Sequence, residues 1–151
     1  MGGLMADRTI EYSLGDLLSI PMAAGARIFG GALVCSDADG YAVPAADAAG
    51  FTFQGVAAAA ADNRNGQDAA VRVVVRRRGR YRLDCASRLD QSAMSARMYV
   101  VNDHTVGAAW QVVNDVLVGV IDRVESSEEC WLSIDAAVLR GKTWPKPQPG
   151  A

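Results

Sequence analysis

The chain has 151 residues, 50% of them hydrophobic and 21% charged, with a net charge of −2, a mass of 15.9 kDa and an isoelectric point near 5.3. A chain of this size forms one domain and buries roughly two-thirds of its unfolded surface, so neither disulfides nor a metal is needed to hold a core. No apolar run approaches the ~20 residues of a membrane-spanning helix, and the opening residues lack the apolar stretch of a secretion signal, so a soluble, cytosolically made protein is expected.

Composition points to strands. Apart from 26 Ala, helix formers are scarce, with two Lys and four Glu against seventeen Val, fifteen Gly and thirteen Asp. Most of the Ala lies beside Gly, Pro and Asp rather than in a helical i, i+3, i+4 pattern. Cys35, Cys85 and Cys130 are odd in number and far apart, and they read as buried, reduced thiols.

Residues 1–19 mix polar and apolar side chains without a helical stripe and predict an N-terminal arm. From Ile20 the strand signals begin. An apolar run from Ile28 to Cys35, the turn Asp37-Ala38-Asp39-Gly40 and a return over Tyr41 to Val43 predict a hairpin, with Asp-Gly supplying the positive φ of its turn. Phe51 to Ala60 and Ala70 to Val75 predict two more strands around a loop at Asn63 to Gly66; the alanines 57–61 between Gly55 and that loop are too few for a stable helix.

The segment Val71 to Leu83 alternates most clearly. Arg72, Val74, Arg76, Arg78, Arg80 and Arg82 fall on one face, and Val71, Val73, Val75, Arg77, Gly79, Tyr81 and Leu83 on the other, with a bulge or bend expected at Gly79. Ser87 to Met98 carries one short helical turn with Ser87 as its N-cap. Met98 to Ala109 predicts a strand, a turn at Asn102-Asp103 and a short strand, and Val112 to Val124 and Glu128 to Val138 predict the closing strands. Residues 140–151, with three of the five prolines, form a C-terminal tail. The organisation expected is therefore an arm (1–19), an all-β domain (20–139) built as a small β-barrel or β-sandwich, and a Pro-rich tail (140–151).

Catalytic and ligating patterns are sparse. His104 is the only histidine and sits in a turn, so it reads as an exposed turn residue rather than a general base. One His and three isolated Cys supply no zinc spacing, and Asp37 to Gly40 lacks the later ligands of a calcium loop. No phosphate-binding glycine loop or nucleophile elbow occurs. The chain is expected not to be an enzyme and to use no metal or cofactor.

The arginine stripe is the strongest polar signal. It fits a solvated sheet face, or a surface for an acidic partner. A small β-barrel that binds nucleic acid through this strand is the alternative, but the chain is acidic overall and the segment offers only Tyr81 as a base-stacking ring. Carboxylates on a protein partner, including the loop aspartates Asp37, Asp39, Asp47, Asp62 and Asp68 of neighbouring copies, fit better.

Several segments, taken in order, resemble the small capsid decoration proteins of tailed bacteriophages, also called cement or head-stabilisation proteins. They are Ile20-Pro21 through Gly25, Gly31 to Val34, Asp39 to Pro44, the strand ending at Gly55-Val56-Ala57, the loop with Asp62-Asn63 and Gly66, the Val73 to Arg82 strand, and Met98 to Asp103 with Thr105-Val106. The resemblance covers about residues 20–138. It implies a β-rich domain that binds the major capsid protein on the outside of an expanded icosahedral head. Such a protein acts as a symmetric oligomer, a homotrimer ahead of a dimer, and stabilises the head against packaged-DNA pressure. It implies a virion location on the outer capsid surface after synthesis in the host cytoplasm, with no membrane or direct nucleic-acid partner and no catalytic residues. Physical reasoning places the capsid or oligomer contacts on arm residues Leu4, Ile10, Tyr12, Leu14, Leu17 and Leu18, on Arg72, Arg76, Arg78, Arg80 and Arg82, and on Trp144 in the tail. An extended arm loses about 1–2 kcal/mol of backbone entropy per residue on ordering, and only apolar burial offsets that.

Overall fold

The computed structural model describes residues 2–11 and 13–143. Residues 2–11 and 13–16 form no helix or strand, and the first strand pairing begins at Leu17. In chain order the strands are β1 (Leu17–Pro21), β2 (Arg27–Ile28), β3 (Leu33–Ser36), β4 (Ala42–Pro44), β5 (Thr52–Ala57), β6 (Ala61–Asp62), β7 (Arg72–Arg76) and β8 (Arg80–Cys85). They continue with β9 (Arg97–Val100), β10 (Thr105–Gly107), β11 (Leu117–Val124) and β12 (Glu129–Ser133), and a single short helix, α1 (Asp135–Arg140), follows. The fold is all-β, as the composition predicts.

Two β units share the core. The first is an antiparallel sheet in the order β1-β7-β5-β3-β4, and a parallel bridge between Met22 and Ala42 draws its two edges together at one end. This sheet curls around a small core of Ile20, Met22, Ile28, Val34, Ala42, Ala57, Val73 and Val75. The second unit is a closed barrel, β10-β8-β12-β11-β9, whose single parallel pair joins β10 to β8. Its interior, with Leu83, Met98, Val106, Val118, Ile121, Cys130 and Leu132, is continuous with Leu33, Cys35, Phe53 and Val56 from the back of the first sheet. β3 is therefore buried on both faces, which is why its text is unbroken apolar rather than alternating.

Period-2 patterning sets the rest. In β7, Val73 and Val75 point into the small core while Arg72, Val74 and Arg76 point out. The hairpin turn is as predicted: the Gly40 N–H donates to Asp37 O at 3.0 Å with φ +89°, and the Asp37 carboxylate accepts the Asp39 and Tyr41 N–H groups, both at 3.0 Å.

Several expectations are corrected. The run from Ile28 to Cys35 is two strands, β2 and β3, separated by a turn at Phe29–Ala32 in which Gly31 adopts φ +82°. Val71 to Leu83 is not one strand: β7 belongs to the curled sheet and β8 to the barrel. Gly79, at φ +111°, makes the break, and its N–H donates to the Asp135 carboxylate at 2.8 Å. The helical turn is a 3₁₀ turn at Gln91–Ala93 capped by Asp90, whose carboxylate accepts the Ser92 N–H; Ser87 instead bonds Gln111 and the Ala108 N–H. The last expected strand stops at Ser133, and the chain enters α1. The predicted arm boundary at residue 20 falls inside β1.

Candidate interaction surfaces

The expected contact residues do not form one surface. Leu4, Ile10 and Leu14 are exposed along the arm, and Tyr12 and Trp144 lie outside the described residues. Leu17 and Leu18 belong to β1 and are joined to the domain by pairing with Arg76 and Val75 of β7. Directly opposed residues share a face, so Leu17 lies outward beside Arg76, while Leu18 lies on the inner side with Val75.

The arginines divide between the two β units, so the expectation that all five share one face is overturned by the break at Gly79. Arg72 donates through Nε to Ser19 Oγ at 2.9 Å and through Nη2 to Ser19 O at 2.8 Å, capping the β1 edge next to Pro21. A proline and an arginine on an edge strand both discourage further pairing there. Arg78 lies 3.5 Å from Asp16. On the barrel, Arg80 makes a two-pronged bond to Asp122 and stacks over Trp131 at 5.7 Å. Arg82 makes a two-pronged bond to Glu129 at 2.9 and 3.1 Å, and Arg123 lies 3.3 Å from Glu125, which also accepts the Trp131 Nε1–H at 3.1 Å. Hydrogen bonds donated to Asp122 and Glu129, then the charge of these carboxylates, raise the pKa of Arg80 and Arg82, and Arg82 in turn holds Glu129 below its ordinary value. The barrel's charged face is thus largely neutralised by its own ladder. The Arg76 side chain makes no hydrogen bond or ion pair among the described residues and lies near Tyr81.

Arg77, which alternation assigns to the apolar face, is half-buried. Its Nη1 donates to Gln54 O at 3.0 Å and Gln54 Oε1 at 2.7 Å, and burial lowers its pKa. Gln54 passes the chain of bonds to Ser36, whose hydroxyl donates to Thr52 O.

Four of the five loop aspartates are engaged within the chain. Asp37 builds its turn, Asp62 forks onto Arg64, Asp68 accepts the Ala24 N–H at 2.8 Å, and Asp47 accepts the Val113 and Asn114 N–H groups at 2.9 and 2.8 Å. They stabilise loops in their own copy instead of standing free for neighbours.

The loop between β10 and β11 is an exposed apolar feature absent from the contact residues expected from the sequence. Trp110 is 80% exposed and Val113 is 85% exposed. The loop is nonetheless fixed. The Ala108 N–H donates to Ser87 Oγ and Gln111 Oε1, a 3₁₀ turn spans Ala109–Gln111, and Asp47 holds Val113 and Asn114. Partial desolvation pushes Asp47 up, but the two backbone bonds and the Asn114 side chain outweigh it and leave its pKa below the ordinary value. Asp115, at the end of the loop, adopts φ +50°.

His104 is an exposed turn residue, with Nδ1 3.4 Å from Asp84 and 2.9 Å from the Thr105 hydroxyl. Among the described residues no group of three His, Cys, Asp or Glu side chains is placed to hold a metal ion, and no helix is long and apolar enough to cross a membrane. Compared with known proteins, the sequence matches no family model and no curated protein.

Proposed function

We propose that this chain is a tailed-phage capsid decoration protein, which binds the major capsid protein on the outside of the expanded head as a homotrimer and stiffens the shell against packaged DNA. The observation that carries this reading is the combination of a β domain with an N-terminal arm that forms no helix or strand among its described residues and leaves Leu4, Ile10 and Leu14 exposed. A free arm of this kind gains by ordering against a partner that supplies apolar surface. Symmetric copies then multiply weak contacts, because once one subunit docks the others face a high effective concentration of their sites. The segment order from Ile20 to Val106 that resembles decoration proteins supports the same reading. A nucleic-acid-binding module has less support, since Arg78, Arg80 and Arg82 already hold carboxylates that phosphates would have to displace.

Removal of residues 2–14, which leaves β1 whole, tests the arm's part. The truncated chain is expected to melt as the full chain does but to co-sediment much less with expanded heads. Undiminished co-sedimentation would remove the arm from the capsid contact. Tight, steeply salt-dependent binding to single-stranded DNA by the full chain would favour the nucleic-acid reading.

A further inference from the structure

The Trp110 loop carries one unengaged carboxylate beside exposed apolar side chains, and the outer face of β1 and β7 carries arginines beside exposed apolar side chains. On the loop, Trp110 and Val113 are exposed and the Asp115 side chain, which lines a cavity with Arg140, makes no hydrogen bond or ion pair among the described residues, whereas Asp47 is engaged by the loop backbone. On the sheet, Leu17 (55% exposed) and Val74 (39% exposed) lie beside Arg76 and Arg72, neither of whose side chains meets a carboxylate among the described residues. The two sites belong to different β units, and Trp110 and Leu17 are both exposed among the described residues.

We infer that the Trp110–Asp115 loop of one copy docks on the β1/β7 face of the next. Trp110 lies against Leu17 and Val74, with the Arg76 guanidinium over its ring, and Asp115 pairs with Arg76. Arg is suited to both tasks, since its planar head stacks on aromatic rings and forks onto carboxylates. The loop's backbone hydrogen bonds limit the ordering cost on docking, and Trp and Arg are both enriched among interface hot spots. Because the two patches differ, the contact is head-to-tail, and it closes a ring when the rotation per copy divides a full turn. This inference rests on the symmetric-oligomer part of the proposed function and names the surfaces that build it.

The test is light scattering on the full chain and on Trp110→Ser, Val113→Asp, Arg76→Asp, Asp115→Arg and the double Arg76→Asp/Asp115→Arg. The full chain is expected to form a small closed oligomer. Each single substitution is expected to weaken association by roughly thirtyfold or more, with an unchanged far-ultraviolet circular dichroism spectrum because all four side chains are on the surface. The double, which exchanges the charges, is expected to regain the oligomer. Retention of the oligomer in the single variants, or no recovery in the double, would overturn the contact. A monomeric full chain whose head binding is lost with Trp110→Ser would overturn it too, and would assign the loop to the shell. An intact, substitution-sensitive oligomer that fails to bind heads would sink the capsid reading and leave this contact standing.

Discussion

Cys35 and Cys130 are fully buried, and desolvation is the main force pushing both thiols up to about 12; Cys85, beside them in the same core, is raised for the same reason. A thiolate is the reactive species, so at mildly alkaline pH the folded chain presents roughly a thousandfold less of it at Cys35 and Cys130 than a free thiol does. Iodoacetamide at about pH 8 is therefore expected to leave all three cysteines unmodified in native protein and to label all three in denaturant, as read by intact mass. Rapid native labelling of Cys35 or Cys130 would contradict the packing. The carboxylates define an acid limit. Hydrogen bonds from Arg64, first from its side chain and then from its N–H, hold Asp62 at about 2 against an ordinary 3.8, and Ser92 and Arg82 lower Asp90 and Glu129 in the same direction. Groups depressed in the folded state add stability above their unfolded pKa and lose it as pH falls through the folded one. Melting temperature is thus expected to hold from about pH 7 to about pH 5 and to decline below about pH 4. A decline that begins near neutrality would show that other groups dominate.

Among the elements, β5 meets β7 most tightly at Gly55, where φ is +149° and an added Cβ would lie 2.3 Å from Arg76 O. Both the conformation and the space require glycine. Gly55→Ala is expected to cost roughly 1–3 kcal/mol or more, seen as a melting shift of about 3–10 °C for a domain of this length. An unshifted melt would mean that the pair is looser than its geometry indicates. Gly55 also shows how far the text of the chain could be read. Strand content, the Asp37–Gly40 turn, the inward valines of β7 and the buried cysteines follow from alternation and turn chemistry, which are local. Which sheet a strand joins is not local: the bend expected at Gly79 is there, but that it passes the chain from one unit to the other depends on bonds to Ile134 and Asp135, the latter 56 residues away. The helix α1 has six residues, too few to show a period, and it holds because Ile134 and Ala137 pack into the barrel core. For the interaction surfaces the limit was the same. Arginine exposure was legible, whereas their partners Asp16, Asp122 and Glu129 were not, and Trp110 carried no signal because nothing in sequence tells an outward tryptophan from an inward one.

At the scale of the whole molecule, the curled sheet and the barrel share one apolar interior through Leu33, Cys35, Phe53 and Val56, so neither can lose its packing alone. A single cooperative transition is expected, with far-ultraviolet circular dichroism and tryptophan fluorescence melting together; two separated transitions would show that the units are independent. The free arm, the fixed Trp110 loop and the basic face of β1 and β7 all lie outside that interior. A scaffold so organised offers separate surfaces on several sides, as the proposed clamping of a shell requires. The most direct test is titration of the full chain onto expanded heads that lack it, counting bound copies per head and following DNA retention on heating. Saturable binding at a fixed number of copies per head, absent on unexpanded heads and accompanied by DNA retention at higher temperature, is the predicted result. No saturable binding to expanded heads would contradict the account.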